Sequence, residues 1–202
     1  MKLKKVAFIL AVIFFARLIV SCCRCDEPGQ MYYFFDDISV HNIDNSGEHD
    51  VVSISERILK EAFGLQVELS VKKESNYFTP RNIAFSPANA TSCECVYERY
   101  LPKDTISVLT IFTLNDFDEK YIAGSDISSY FKVVTPNGFI SINEYLKLTE
   151  MIYENWMPEK EHIKLYLLQP PTIIEELHSF KVEIKFSNGE TVSLNSKPVY
   201  LE

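Results

Sequence analysis

Cysteine is the residue type in this 202-residue chain best placed to do chemistry, and its spacing is unusual. Cys22 and Cys23 are adjacent, Cys25 follows after one residue, and Cys93 and Cys95 repeat the one-residue gap. Thiolates act as nucleophiles, metal ligands or disulfide partners. Zinc and iron–sulfur sites usually leave about two to four residues within each cysteine pair, so a four-thiolate centre is the weaker reading here. The histidines His41, His49, His162 and His178 are scattered, with no HExxH spacing. No G-x-S-x-G elbow and no phosphate-cradling glycine loop occurs. A carboxylate pair suited to glycoside hydrolysis is a spatial arrangement that sequence cannot single out. No catalytic, cofactor-binding or metal-ligating residue is therefore assigned, and a non-enzyme is expected.

Two oxygen-rich stretches and one aromatic run are weaker candidates. Residues 44–50 carry acids and amides, but Gly47 sits too early for an EF-hand loop, which favours a turn. Asp116, Asp118, Glu119 and Asp126 could gather around calcium if their loop folds back. Tyr32, Tyr33, Phe34 and Phe35 could offer ring faces to sugars, although in a strand two of the four must point inward.

These residues follow an N-terminal segment with the parts of an export signal. Lys2, Lys4 and Lys5 precede an apolar run over residues 6–16, and Arg17 interrupts that run well short of the roughly 20 residues a spanning helix needs. Ile19, Val20, Ser21 and Cys22 then resemble a bacterial lipobox, with Ser21 as the small residue before the acylated cysteine. Cys22 is the best lipid site, because Cys23 would follow a cysteine and Cys25 an arginine. An uncleaved anchor or an ordinary secretory signal is the competing reading, and Arg17 favours it. The expected division is a signal peptide over 1–21, a lipidated tether over 22–30 and one β-rich domain over 31–202. Acyl chains contribute about 0.8 kcal/mol per buried methylene, so the lipid would hold the domain at the membrane without a spanning helix.

Cleavage before Cys22 removes four basic residues and no acidic ones. The 20 Lys+Arg become 16 against 28 Asp+Glu, and the formal charge falls from −8 to −12. Such a surface repels nucleic-acid phosphates, so no nucleic-acid partner is expected. With Cys22 acylated, an even four thiols remain, which in an exported domain favours disulfides. Side chains at i and i+2 of a strand share a face, so Cys93 and Cys95 could both meet Cys23 and Cys25. Each bridge would close a loop of about 70 residues and contribute roughly 3–4 kcal/mol. The individual pairing is left open.

The elements that must position any site are mostly strands. Residues 31–43 are aromatic and then alternate, which predicts a strand buried early and half exposed later, and residues 65–71 alternate strictly, which predicts a strand with one solvated face. Residues 106–114 are apolar on both faces and predict a central strand, 91–97 a strand bearing the second cysteine pair, and 162–168 another strand. Residues 180–186 and 191–194 flank Ser187, Asn188, Gly189 and Glu190, a hairpin predicted to close by a primed turn. Ser53 with Glu56 predicts a short helix ending at Gly64, and Ser141 with Glu144 a longer one reaching Trp156. The whole predicts a mainly β fold, a β-sandwich of immunoglobulin-like kind with one or two short helices in the connections. The alternative is an α+β fold with a helix on an open sheet.

The segments CCRCDEP, YYFFDDISVHNID, ILKEAFGLQVEL and YIAGSDISSYFKVV resemble a family of uncharacterised Bacteroidetes lipoproteins of unknown function. That resemblance implies an envelope lipoprotein with a β-rich domain, and Asp26 and Glu27 after the lipid site resemble an outer-membrane surface export signal. It implies no activity. The expected function is a non-catalytic surface binding or adhesion module, with an envelope protein or glycan as partner. A structural subunit of an envelope complex and a hydrolase acting on polysaccharide or peptide are the alternatives.

Overall fold

The computed structural model describes residues 29–74, 98–149, 151–173 and 176–202. The export segment, all five cysteines and the expected strand at 91–97 lie outside the described residues. Among the described residues the chain runs β1 (Gly29–Asp44), β2 (Val51–Val52), β3 (Arg57–Ile58), β4 (Phe63–Lys73), β5 (Glu98–Pro102) and β6 (Ile106–Thr113). A 3-10 turn (Ser128–Tyr130), β7 (Phe131–Thr135), β8 (Gly138–Ser141), α1 (Ile142–Leu148), β9 (Tyr153–Glu154) and β10 (Lys160–Leu167) follow. The chain ends with β11 (Leu177–His178), β12 (Phe180–Phe186), β13 (Thr191–Asn195) and β14 (Val199–Leu201).

The strands form one large sheet in the order β8-β7-β10-β4-β1-β5-β9, with β2 beside the end of β1, and two three-stranded sheets, β13-β12-β6 and β11-β14-β3. The period-two pattern of β4 sends Phe63, Leu65, Val67 and Leu69 to one face, where they are buried with Ile163, Leu165 and Leu167 of β10. Across from them lie Leu109 and Ile111 of β6 and Phe180, Val182 and Ile184 of β12, in the same apolar cluster. Phe180 is the hub of this layer, with its ring 5.3 Å from Phe63 and 5.7 Å from Phe131. The mainly β, sandwich-like expectation holds.

Several local expectations are corrected. The helix expected after Ser53 is absent. Its residues instead give β3, which pairs in parallel with β14 through Arg57 and Ile58 opposite Tyr200 and Leu201. Gly64 is an interior residue of β4, where a Cβ would stand 2.7 Å from the Leu165 carbonyl oxygen and 2.9 Å from Ile43 Cγ1. Only glycine lets β4 lie between β1 and β10 at that point.

Ser141 caps α1 as expected, its Oγ accepting from Glu144 N at 3.2 Å, but the helix ends at Leu148. Tyr153 is drawn into a pairing with Tyr100 on β5, which the longer helix would forbid. β4 is buried on both faces over its first half, Gly64 and Gln66 included, rather than solvated on one. β6 is an edge strand with Ser107 and Val108 exposed, not a central one. The Phe186–Glu190 hairpin forms, but only Gly189 has positive φ (89°), and Gly189 N donates to the Phe186 carbonyl. The turn is thus an ordinary one followed by a left-handed glycine, not a primed turn.

Candidate functional site

The main feature is a groove of about 600 Å³ between β1 and the β12–β13 hairpin. One wall is residues 34–38 of β1. Opposite Phe35 stands Val71 and opposite Asp37 stands Ser70, so Asp36 is an extra residue and β1 carries a bulge. A bulge bends its strand and re-aims the neighbouring side chains. Here Phe34, Phe35, Asp36, Asp37 and Ile38 all come to line the groove, which strict alternation would prevent.

The other wall is β13, through Val192 and Leu194. These two share a face because they stand opposite the buried Ile184 and Val182 of β12. Phe186 closes the floor with its ring 6.0 Å from that of Phe35. Asn188 and Glu190 rise from the turn, and Asn188 Oδ1 accepts from Glu190 N at 2.8 Å, which orders the rim. Glu74, Lys103 and Asp104 complete it. Backbone bonds hold those segments to β1: Glu74 N donates to the Tyr32 carbonyl and Lys103 N to that of Tyr33. Thr105 and Ser187 exchange hydrogen bonds, Thr105 N to Ser187 Oγ at 3.0 Å and Ser187 N to the Thr105 carbonyl at 2.9 Å. The rim loops are thereby tied together.

Five carboxylates (Asp36, Asp37, Glu74, Asp104 and Glu190) and one lysine surround an aromatic and aliphatic floor. Asp36 pairs with Lys72 outside the groove, and Lys103 Nζ lies 2.7 Å from Glu74 Oε1. The arrangement can stack an apolar or CH-rich body on the rings while the rim accepts hydrogen bonds.

A second polar cluster lies where β1, β5, β9 and β10 meet. The Tyr33 hydroxyl donates to the Met151 carbonyl at 2.6 Å, and that of Tyr153 donates to Glu161. Burial pushes both phenols well above the ordinary tyrosine range, with Glu161 adding to the effect on Tyr153. Met151 (φ 48°) and Asn155 (φ 61°) flank β9 in the left-handed region, a local strain that this pairing holds in place. Beside it Lys73 Nζ donates to the Tyr100 hydroxyl at 2.9 Å, and Tyr100 donates to Glu98.

The other sequence candidates do not converge. Asp44 accepts from Ser46 N, and Asp50 pairs with Lys164 at 2.6 Å, so residues 44–50 make a turn. Asp116 accepts from Ala123 N, Asp118 from Lys120 N and Tyr121 N, and Asp126 from Ser128 N, each carboxylate capping its own turn rather than meeting around an ion. Among the described residues no group of three or more His, Cys, Asp or Glu is placed to hold a metal. His178 is buried, with Nε2 2.6 Å from the Ile173 carbonyl oxygen and its ring against Phe117, a structural role.

Of the aromatic run, Tyr33 is fully buried, Phe34 and Phe35 line the groove, and Tyr32 faces outward. The acidic half of the site escaped sequence reasoning. Its one signal was the Asp36-Asp37 pair inside an otherwise alternating strand, a polar doublet that a regular strand would not place on one side.

Fold and groove define a mainly β, sandwich-like protein with an acid-rimmed aromatic cleft between its sheets. A family model, the domain of unknown function DUF5034, matches residues 35–197, and the chain belongs to that family. Neither a curated protein nor a solved structure matches it. No helix among the described residues is long and apolar enough to cross a membrane.

Proposed function

We propose that the chain is a non-catalytic binding module of the cell envelope, carried on a lipid at Cys22 and placed at the outer membrane, where its domain faces the surroundings. The observation that carries the binding reading is the groove: a preformed concavity with an aromatic floor and a polar rim is the form that ligand sites take. The export segment and its cysteine support the address. The partner is an envelope or environmental protein or glycan, and the acidic mature chain argues against nucleic acid.

A structural role in an envelope complex is favoured by a different observation. Val134 and Phe139 stand opposite each other on the β7–β8 hairpin with about half of each surface exposed, at 49% and 57%. That pair is small for a permanent interface, so the groove reading comes first.

The experiment is cross-linked affinity purification of the lipidated protein from intact cells, with surface proteolysis in parallel. Proteolysis of the domain on whole cells, and a partner retained by wild type but lost when Leu194→Trp fills the groove, are the expected results. Retention indifferent to that substitution would remove the groove from the account.

A further inference from the structure

Beside the groove, one strand edge is unpaired among the described residues. β13 is bonded to β12 on one side and, among the described residues, to no strand on the other. β1 passes close to it across the cleft. An unpaired row of backbone N–H and C=O groups is a template for a further strand. Most edges are blunted by charge or twist, but the groove face of β13 presents Val192 and Leu194 at period two.

The geometry points to an extended, basic peptide segment as the occupant, added as a strand on β13 with Lys or Arg side chains set against the rim. The inference rests on the binding reading and deepens it by naming the class of partner. Three observations select that class.

First, the open edge recognises a main chain, which a polypeptide has and a glycan lacks. Second, the rim sets five carboxylates against Lys103 alone. Lys103 already bonds Glu74, while Asp37, Asp104 and Glu190 make no ion pair within 4 Å among the described residues. Charge complementarity therefore asks for a cation, and an acidic partner is repelled. Third, the adjacent Phe35 and Phe186 rings suit the long aliphatic stems of Lys and Arg, whose charged heads then reach the rim. A neutral oligosaccharide would use the rings and donate hydroxyls to the carboxylates, but it would leave their negative charge uncompensated and the strand edge without a partner.

The test uses the full-length lipidated chain in detergent and a fluorescent octapeptide of alternating Lys and Val. The expected result is saturable binding that weakens with added salt. It should fall about tenfold in the Asp37→Asn/Glu190→Gln double variant, the size expected for losing two partly solvated charge contacts. Methylating alternate peptide amides should abolish it. An unchanged urea midpoint in the double variant shows that folding is intact, and both positions are exposed.

Equal binding of a Glu/Val peptide, indifference to the double variant, full binding of the methylated peptide, or no peptide binding at all would each overturn the inference. If Leu194→Trp abolishes binding of a neutral oligosaccharide while the Lys/Val peptide never binds, the peptide inference falls and the binding module stands. If Leu194→Trp alters no interaction, the binding reading itself falls.

Discussion

At the scale of single residues, Gly64 and the buried tyrosines show where local chemistry is decisive. Any side chain at Gly64 must enter space held by the Leu165 carbonyl and the Ile43 side chain, both in strands bonded to β4. Gly64→Ala should lower unfolding free energy by about 1–3 kcal/mol, the usual range for forcing volume into a packed interior. Urea denaturation checks it, and a stability equal to wild type would show that the three strands can part locally.

Tyr33 and Tyr153 make a pH prediction. Their phenols stay protonated in the folded chain far above the value near 10 at which they ionise once unfolded. The stability they contribute is complete below pH 10 and is lost as pH rises beyond it. Tyr153→Phe should therefore flatten the alkaline fall in the urea midpoint above about pH 10 relative to wild type. An alkaline limb of unchanged slope would contradict the assignment.

Among the elements, legibility followed the strength of the local signal. β1, β4, β10 and the β12–β13 hairpin were readable because alternation over many residues is hard to mistake. Ser141 was readable as a cap because its hydroxyl bonds the Glu144 amide locally. The end of α1 was not, since Tyr153 leaves the helical pattern for partners far away in sequence. The groove was half legible: its rings could be named, but the bulge that aims Asp36 and Asp37 is a property of the pairing between β1 and β4.

Pairing also bears on the cysteines. β1 and β5 run in parallel, beginning with Gly29 opposite Glu98. Cys25 precedes Gly29 by four residues and Cys95 precedes Glu98 by three. Adjacent strands lie about 4.8 Å apart, and a disulfide needs Cα atoms about 4.4–6.8 Å apart. We propose bridges between the Cys23/Cys25 pair and the Cys93/Cys95 pair, to be checked by mass mapping of the unreduced protein. Free thiols at Cys23 and Cys25 would refute it.

For the molecule as a whole, the mainly β class was legible from composition and alternation, whereas the stacking of the large sheet on the β13-β12-β6 sheet depends on contacts such as Phe180 with Phe63 and Phe131. The export reading belongs to this scale too. Cys22→Ala should move the protein from the membrane pellet to the soluble fraction and remove the mass of its acyl chains, since nothing else in the proposal holds it there. Retention in the pellet would point instead to the uncleaved anchor.

β1 is the longest strand among the described residues, spanning 16 residues between β4 and β5. A pull on its N-terminal end acts along the strand, across hydrogen bonds that lie perpendicular or slanted to it. Those bonds must then yield together in shear rather than open one after another. The domain is thus built to bear mechanical load from that end, a property that single-molecule stretching would read as a high rupture force.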